Sequence, residues 1–300
     1  MKKAILLIAI CFSFKMYAQI LGGNPGETQP IAIEYGYMPD LDGTEISNYR
    51  INLNTVIPAG KNIVGVGLGY QYYDFVFDET TNVIDLGTYE NIHVVRANVS
   101  LIRPLKNSWG LLVSAGTSLM SNLGDGVSSE DFVFNTLGAV TKRWGNFERN
   151  STLMLGILYG AQLGEPTILP AISFQQKLNA HWSYSLGLPT TGVNYTINEK
   201  HQLSTSLRPE GLFANNSNEV AVDGNRLLTN TKLQYNGLNA ELSYRLKFTK
   251  NLALTAKTGL MAITTLKVLD DDNEEIYDLD PGSGAYFRVG LQLVLNRRTP

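Results

Sequence analysis

The sequence is nearly free of cysteine. Cys11 is the one thiol in 300 residues. It lies in an N-terminal apolar stretch behind the bulky Ile10, where a lipidated cysteine would need a small neighbour. A mature chain without that stretch has no thiol. This excludes disulfides, a cysteine nucleophile and thiolate metal sites. Long apolar runs are also missing: beyond residue 18 nothing approaches the ~20 residues that a spanning helix needs. Neither sign of charge dominates, with 24 basic and 27 acidic residues, so nothing points to nucleic acid as a partner. Histidine is scarce, at three residues, which restricts histidine-based catalysis to His93, His181 or His201. Helical periodicity is almost absent after the N-terminus.

The N-terminus reads as a secretory signal. Lys2 and Lys3 form a positive start, residues 4–14 are apolar, Lys15 ends the run, and Met16-Tyr17-Ala18 closes on the small residue that cleavage requires. The expected organisation is a signal peptide at 1–18 and one barrel domain at 19–300.

Period-two alternation dominates the remainder, which is the pattern of strands. Val64, Val66, Leu68, Tyr70 and Tyr72 share one face, while Gly65, Gly67, Gly69 and Gln71 share the other. Leu238, Ala240, Leu242, Tyr244 and Leu246 alternate with Asn239, Glu241, Ser243, Arg245 and Lys247. Phe287, Val289, Leu291 and Leu293 alternate with Arg288, Gly290 and Gln292. A soluble sandwich alternates too, but several runs exceed the usual soluble strand of about five or six residues. The connections also sort into two kinds. Short basic or amide-rich turns (58–62, 104–108, 145–150, 178–181, 198–201, 249–251) alternate with long acidic or polar loops (74–90, 121–131, 209–225, 270–284). Trp109, Trp144 and Trp182 border short turns, and Tyr70, Tyr72 and Tyr159 lie near the opposite strand ends. Short turns at one rim, long loops at the other and an aromatic girdle at each are the marks of a membrane barrel. The expected fold is all-β: a single closed antiparallel transmembrane β-barrel of about 14 strands, with 12 or 16 as alternatives. Pro170 weakens the strand at 167–177. The segment 227–248 is too long for one crossing and is read as an extension with a bulge at Asn236-Gly237.

Four segments together resemble an uncharacterised outer-membrane β-barrel family of Gram-negative bacteria, a domain of unknown function. They are IEYGY (33–37), GVGLGYQYYDF (65–75), W-x-Y-x-LGLP (182–189) and AYFRVGLQLVL (285–295). The resemblance implies a fold and the cell outer membrane as location. It brings no catalytic residues.

Strand parity assigns Glu34, Arg50, Arg96, Arg208, Glu241, Arg245, Lys257 and Arg288 to the lumen as pore-lining residues. Bases outnumber acids there, which would favour small anions in a conducting pore. The competing reading is a lumen filled by its own salt bridges, with Glu34 near Arg288 where the first and last strands meet. The inward glycines 65, 67 and 69 lack the strand-to-helix context of a phosphate loop and read as structural. The acidic run 270–280 lacks calcium-loop spacing. His93, near Glu90, is the only candidate base, and no serine is placed for it. The leading expectation is a passive channel for small polar solutes, without catalysis or cofactor. The alternative is a non-conducting structural barrel, or one that binds partners or lipopolysaccharide, and an outer-membrane hydrolase ranks last. Expected partners are outer-membrane lipid, lipopolysaccharide and the barrel-assembly machinery, and the protein is expected to be a monomer. The mature chain should begin at Gln19, which N-terminal sequencing of protein from the outer-membrane fraction checks.

Overall fold

A computed structural model describes residues 27–78, 83–146, 148–222 and 226–296. The signal-peptide expectation for residues 1–18 lies outside the described residues. The strands are β1 (Glu27–Met38), β2 (Thr44–Ala59), β3 (Asn62–Phe77), β4 (Asn91–Pro104), β5 (Trp109–Ser121), β6 (Phe132–Gly145), β7 (Asn150–Gly160), β8 (Thr167–Lys177) and β9 (Trp182–Gly187). They continue as β10 (Thr191–Thr196), β11 (His201–Asn216), β12 (Val220–Val222), β13 (Arg226–Leu228), β14 (Thr231–Lys247), β15 (Leu252–Leu269), β16 (Glu275–Asp278) and β17 (Gly284–Asn296).

Fourteen of these close into one antiparallel ring. Each strand from β1 to β11 pairs with the next, β11 pairs with β14, β14 with β15, β15 with β17, and β17 returns to β1. β12 and β13 form a separate hairpin in the loop before β14, and β16 pairs on the outer end of β15. The β1–β17 seam runs from Glu27↔Asn296 to Tyr37↔Phe287. At the height of the short strands every strand is paired on both sides, which matters because an unpaired backbone group in hydrocarbon would cost several kcal/mol.

The outer surface carries the expected belt. Ile33, Ile51, Leu68, Val99, Val113, Val140, Leu155, Ile172, Leu186, Leu242, Leu254 and Val289 are exposed apolar side chains on twelve of the fourteen wall strands. All three tryptophans are exposed beside the short turns. A tyrosine row lies at the other rim: Tyr35 packs on Tyr49 at 4.8 Å, Tyr49 on Tyr72 at 6.5 Å, and Tyr72 on His93 at 5.2 Å. Such a surface is stable only against lipid.

The wall is uneven. β9 and β10 have six residues each, whereas β14 has 17 and β15 has 18. β9 stops at Gly187, whose φ of +122° belongs to glycine, and a Cβ there would lie 2.0 Å from the Ile172 carbonyl oxygen. The LGLP segment is therefore the turn that caps this low section. Above it, β8 loses its β9 partner beyond Ser173, and β11 loses its β10 partner beyond Leu207. Pro170 and Pro209 sit on these two released edges, where a missing N–H is tolerated.

Two strands outrun the sequence reading. β3 continues to Phe77 and β11 to Asn216, so residues 74–77 and 209–216, expected in loops, are wall. The extended part of β11 with β14 leans across the mouth. Asn215 bridges in parallel to Ser121 of β5, and the β7–β8 turn lies against the back of this hairpin. A Cβ on Gly211 would lie 2.5–2.6 Å from backbone atoms of Ala161, Gln162 and Gly164. The register shift expected at Asn236-Gly237 is present between Asn236 and Leu238.

The belt has a direct test. Leu155→Arg, in the middle of the lipid face of β7, should destabilise the barrel by roughly 2–4 kcal/mol. Leu227→Arg, still more exposed but in the β12–β13 hairpin, should change it by less than about 0.5 kcal/mol. Equilibrium unfolding in lipid vesicles compares the two.

Candidate functional site

The interior divides into layers. The loop-side layer is apolar. Ile46, Phe75, Ile92, Leu212, Leu233, Tyr235, Leu266 and Val268 point in from the wall and are fully buried. Loop residues fill the space between them: Leu41, Ile84, Leu86 and Tyr89, Val220 and Val222, and Leu279 all belong to the same buried cluster. The lid hairpin is fastened to β5 by side-chain amides. Asn122 Nδ2 donates to Asn216 Oδ1 at 2.6 Å and to Asn218 Oδ1 at 2.7 Å, and Asn122 Oδ1 accepts from the Ser217 N–H at 3.0 Å. Asn215 Nδ2 donates to the buried Asp131 at 2.9 Å, and Tyr89 and Thr231 share a hydrogen bond of 2.6 Å. Satisfied polar groups at the margin of an apolar cluster fix one arrangement.

Beneath this plug lies a ring of charge. Glu210, on β11, is its hub. Its carboxylate accepts from Arg50 at 3.1 Å, from Arg288 at 3.3 Å and from Asn239 Nδ2 at 2.7 Å, and Tyr73 O–H approaches at 3.5 Å. Arg50 is on β2, five strands from β11 around the ring, so this ion pair crosses the lumen. Glu34 pairs with Lys257 at 2.8 Å. Arg208 pairs with Glu241 at 3.3 Å, and Tyr286 O–H donates to the same Glu241 oxygen at 2.8 Å. Arg96 donates to the Gln71 amide oxygen at 3.0 Å, and Arg245 to the Gln292 amide oxygen at 3.3 Å. Buried charges are held when their partners are close and their remaining donors engaged.

All eight residues read as pore-lining therefore lie on the inward face. Seven of them form pairs or join the ring around Glu210, Glu241 and Gln71, and Arg245 sits nearer the short turns beside Gln292. Glu34 and Arg288 are close across the β1–β17 seam as expected, but each pairs elsewhere: Lys257 bonds Glu34, while Arg288 turns to Glu210. Sequence reasoning placed Gln71 and Asn239 on the polar faces without naming them as site residues, and it missed Glu210, Tyr73 and Tyr286. Inward parity continues from Arg208 through Glu210, Leu212 and Ala214, and that continuation was the available signal.

The remaining candidates resolve as structure. A Cβ on Gly67 would lie 2.3 Å from Asn98 Oδ1, so this inward glycine admits a side chain from β4. His93 Nδ1 hydrogen-bonds the Tyr70 hydroxyl at 2.9 Å within the outer tyrosine row. Two carboxylates of the acidic segment, Glu275 and Asp278, meet Lys267 at 2.6 and 2.9 Å and bind β16 to β15. Among the described residues no three His, Cys, Asp or Glu side chains gather as a metal site would require.

No curated protein matches the chain. Among solved structures it is similar to the NanC porin, at 9% identity, covering 88% of this chain and 98% of that one, with a TM-score of 0.38. It is similar to the toluene transporter TodX of Pseudomonas putida, at 10% identity, 91% and 90% coverage and a TM-score of 0.38. Outer membrane phospholipase A of Escherichia coli follows, at 12% identity, 89% coverage of each chain and a TM-score of 0.34. Likenesses this distant carry no argument about activity. Residues 48–294, in contrast, match one family along nearly the whole barrel, and the chain belongs to that family, described as Domain of unknown function (DUF6268).

Proposed function

We propose that the protein is an outer-membrane barrel closed to the outside, which presents a polar, basic lumen to the periplasm and acts as a binding barrel rather than an open diffusion pore. The observation that supports this is the apolar plug. Side chains from the wall and from loops after β1, β3, β11 and β15 meet there at zero or near-zero exposure. A hydrophobic constriction excludes water and blocks ions even before it is packed solid. The other layers agree with a one-sided vessel. Inward residues below the ring, such as Asn54 and Asn98, are exposed, so the lumen is wet on the short-turn side. Outer-membrane lipid contacts the belt, and the long loops face lipopolysaccharide. The barrel works as a monomer and carries out no catalysis.

A specific feature favours a second reading, a gated channel for small polar solutes. The lid is one hairpin, and amide hydrogen bonds hold its tip to β5. If it swung aside, the excess of lumen bases would favour anions.

Refolded mature protein in a planar bilayer should show no stable open steps. The double substitution Leu212→Asp/Leu233→Asp puts two carboxylates into the plug and should produce openings. Steady conductance of the unmodified protein would overturn the closed-barrel reading in favour of the channel.

A further inference from the structure

The ring lines a partly open chamber of about 240 Å³ between β2, β3, β4 and the foot of the lid. Its walls include Arg50, Arg96 and Arg208, with Glu210 as the one carboxylate among them. Glu210 is already engaged by Arg50, Arg288 and Asn239. Around the whole ring, five cations (Arg50, Arg96, Arg208, Lys257 and Arg288) face three carboxylates (Glu34, Glu210 and Glu241). The arginines also keep unused hydrogen-bonding capacity. Arg50 Nε and Arg208 Nε are buried and have no partner within the protein. Gln71, on the chamber wall, is 0% exposed, and its Nε2 likewise has none. Its Oε1 accepts from Arg96, which fixes the amide so that the NH₂ group is the free end.

Buried donors without acceptors are costly, and more so when charged. Excess charge in a restricted space adds to this. One species corrects both deficits: an anion with several acceptor oxygens. Guanidinium forks match the planar or tetrahedral oxygens of carboxylate and phosphate. The volume equals the share of roughly eight waters at about 30 Å³ each, which suits a compact anion.

We propose that this chamber is a binding site for a small oxyanion, a carboxylate or inorganic phosphate, held by Arg50, Arg96, Arg208 and the Gln71 amide. The site goes beyond the closed-barrel reading and does not rest on it. A small anion enters from the wet, short-turn side whether or not the plug ever opens.

The test is calorimetric titration of the full mature protein, refolded in detergent, with inorganic phosphate and separately with acetate, against sodium chloride at matched ionic strength. One of the two should bind saturably at one site, and the melting temperature should rise in step. Arg96→Gln should weaken that binding at least tenfold. Asn52→Asp places a negative charge on the chamber wall with almost no change of shape and should do the same, which keeps the test decisive if the arginine variant does not fold. Phosphate binding with acetate silent would identify phosphate as the anion, and the reverse would identify a carboxylate. If neither gives a saturable isotherm, the chamber holds water alone and the proposal fails. It fails equally if binding survives both substitutions unchanged.

Discussion

Hydrocarbon offers no hydrogen bonds to a backbone, so a sheet inside it must pair every strand on both sides. The seam between β1 and β17 is where this chain meets that demand. The consequences reach every residue. A closed sheet has two faces only, and strand alternation divides the chain between them. Lipid takes the apolar half, and what remains is driven inward whether or not the lumen has a use for it. An interior with six bases and two acids among the residues legible from parity is thus first a product of closure.

The same demand relaxes above the membrane, and there the sequence was harder to read. Strand count, strand order, the two rims, the aromatic girdles and the bulge near Gly237 were all legible, because alternation and turn composition are local signals. The upper reaches of β3 and β11 were not. Asp74 and Pro209 have the look of loop residues, and a proline normally argues against a central strand. Pro209 is permitted because β10 ends opposite Leu207, two residues short of it. Pro170 is permitted because β9 ends opposite Ser173. Each proline makes sense only once its neighbour's length is known, and that length is set elsewhere in the chain, by the glycine turn at Gly187. Read together, Pro170, Pro189 and Pro209 outline a low stretch of wall. Taken singly, each looks like an interruption.

The site shows the same division between face and partner. Parity put Arg50, Arg96, Arg208 and Arg288 inside, and they are inside. Parity cannot say that Arg50 will reach across to β11, because that depends on how far the opposite wall leans in. The lean comes from the lid, where Asn215 meets Ser121. Glu210 lies at its foot, three residues past Leu207, where β11 loses β10 as a pairing partner. Mistaking that stretch for loop removed from view the carboxylate to which two arginines converge.

Plug and ring are best understood as one device. The plug removes water from the loop-side face of the ring, and ions stripped of water on one side hold more strongly to partners beside them. Glu210 connects the two layers, since it belongs to the lid strand while its partners Arg50 and Arg288 belong to the fixed wall. Moving the lid outward would carry this carboxylate away from both guanidiniums and leave two buried cations exposed to each other. The charge ring therefore opposes opening from below, as the apolar contacts and the Asn122 amide bonds oppose it from above. The excess of cations is tolerable because the lower face of the ring remains wet. The order of layers is then constrained by electrostatics: an apolar seal over a charged ring is best tolerated when the ring's other face keeps access to solvent, which agrees with the proposed vessel open to one side.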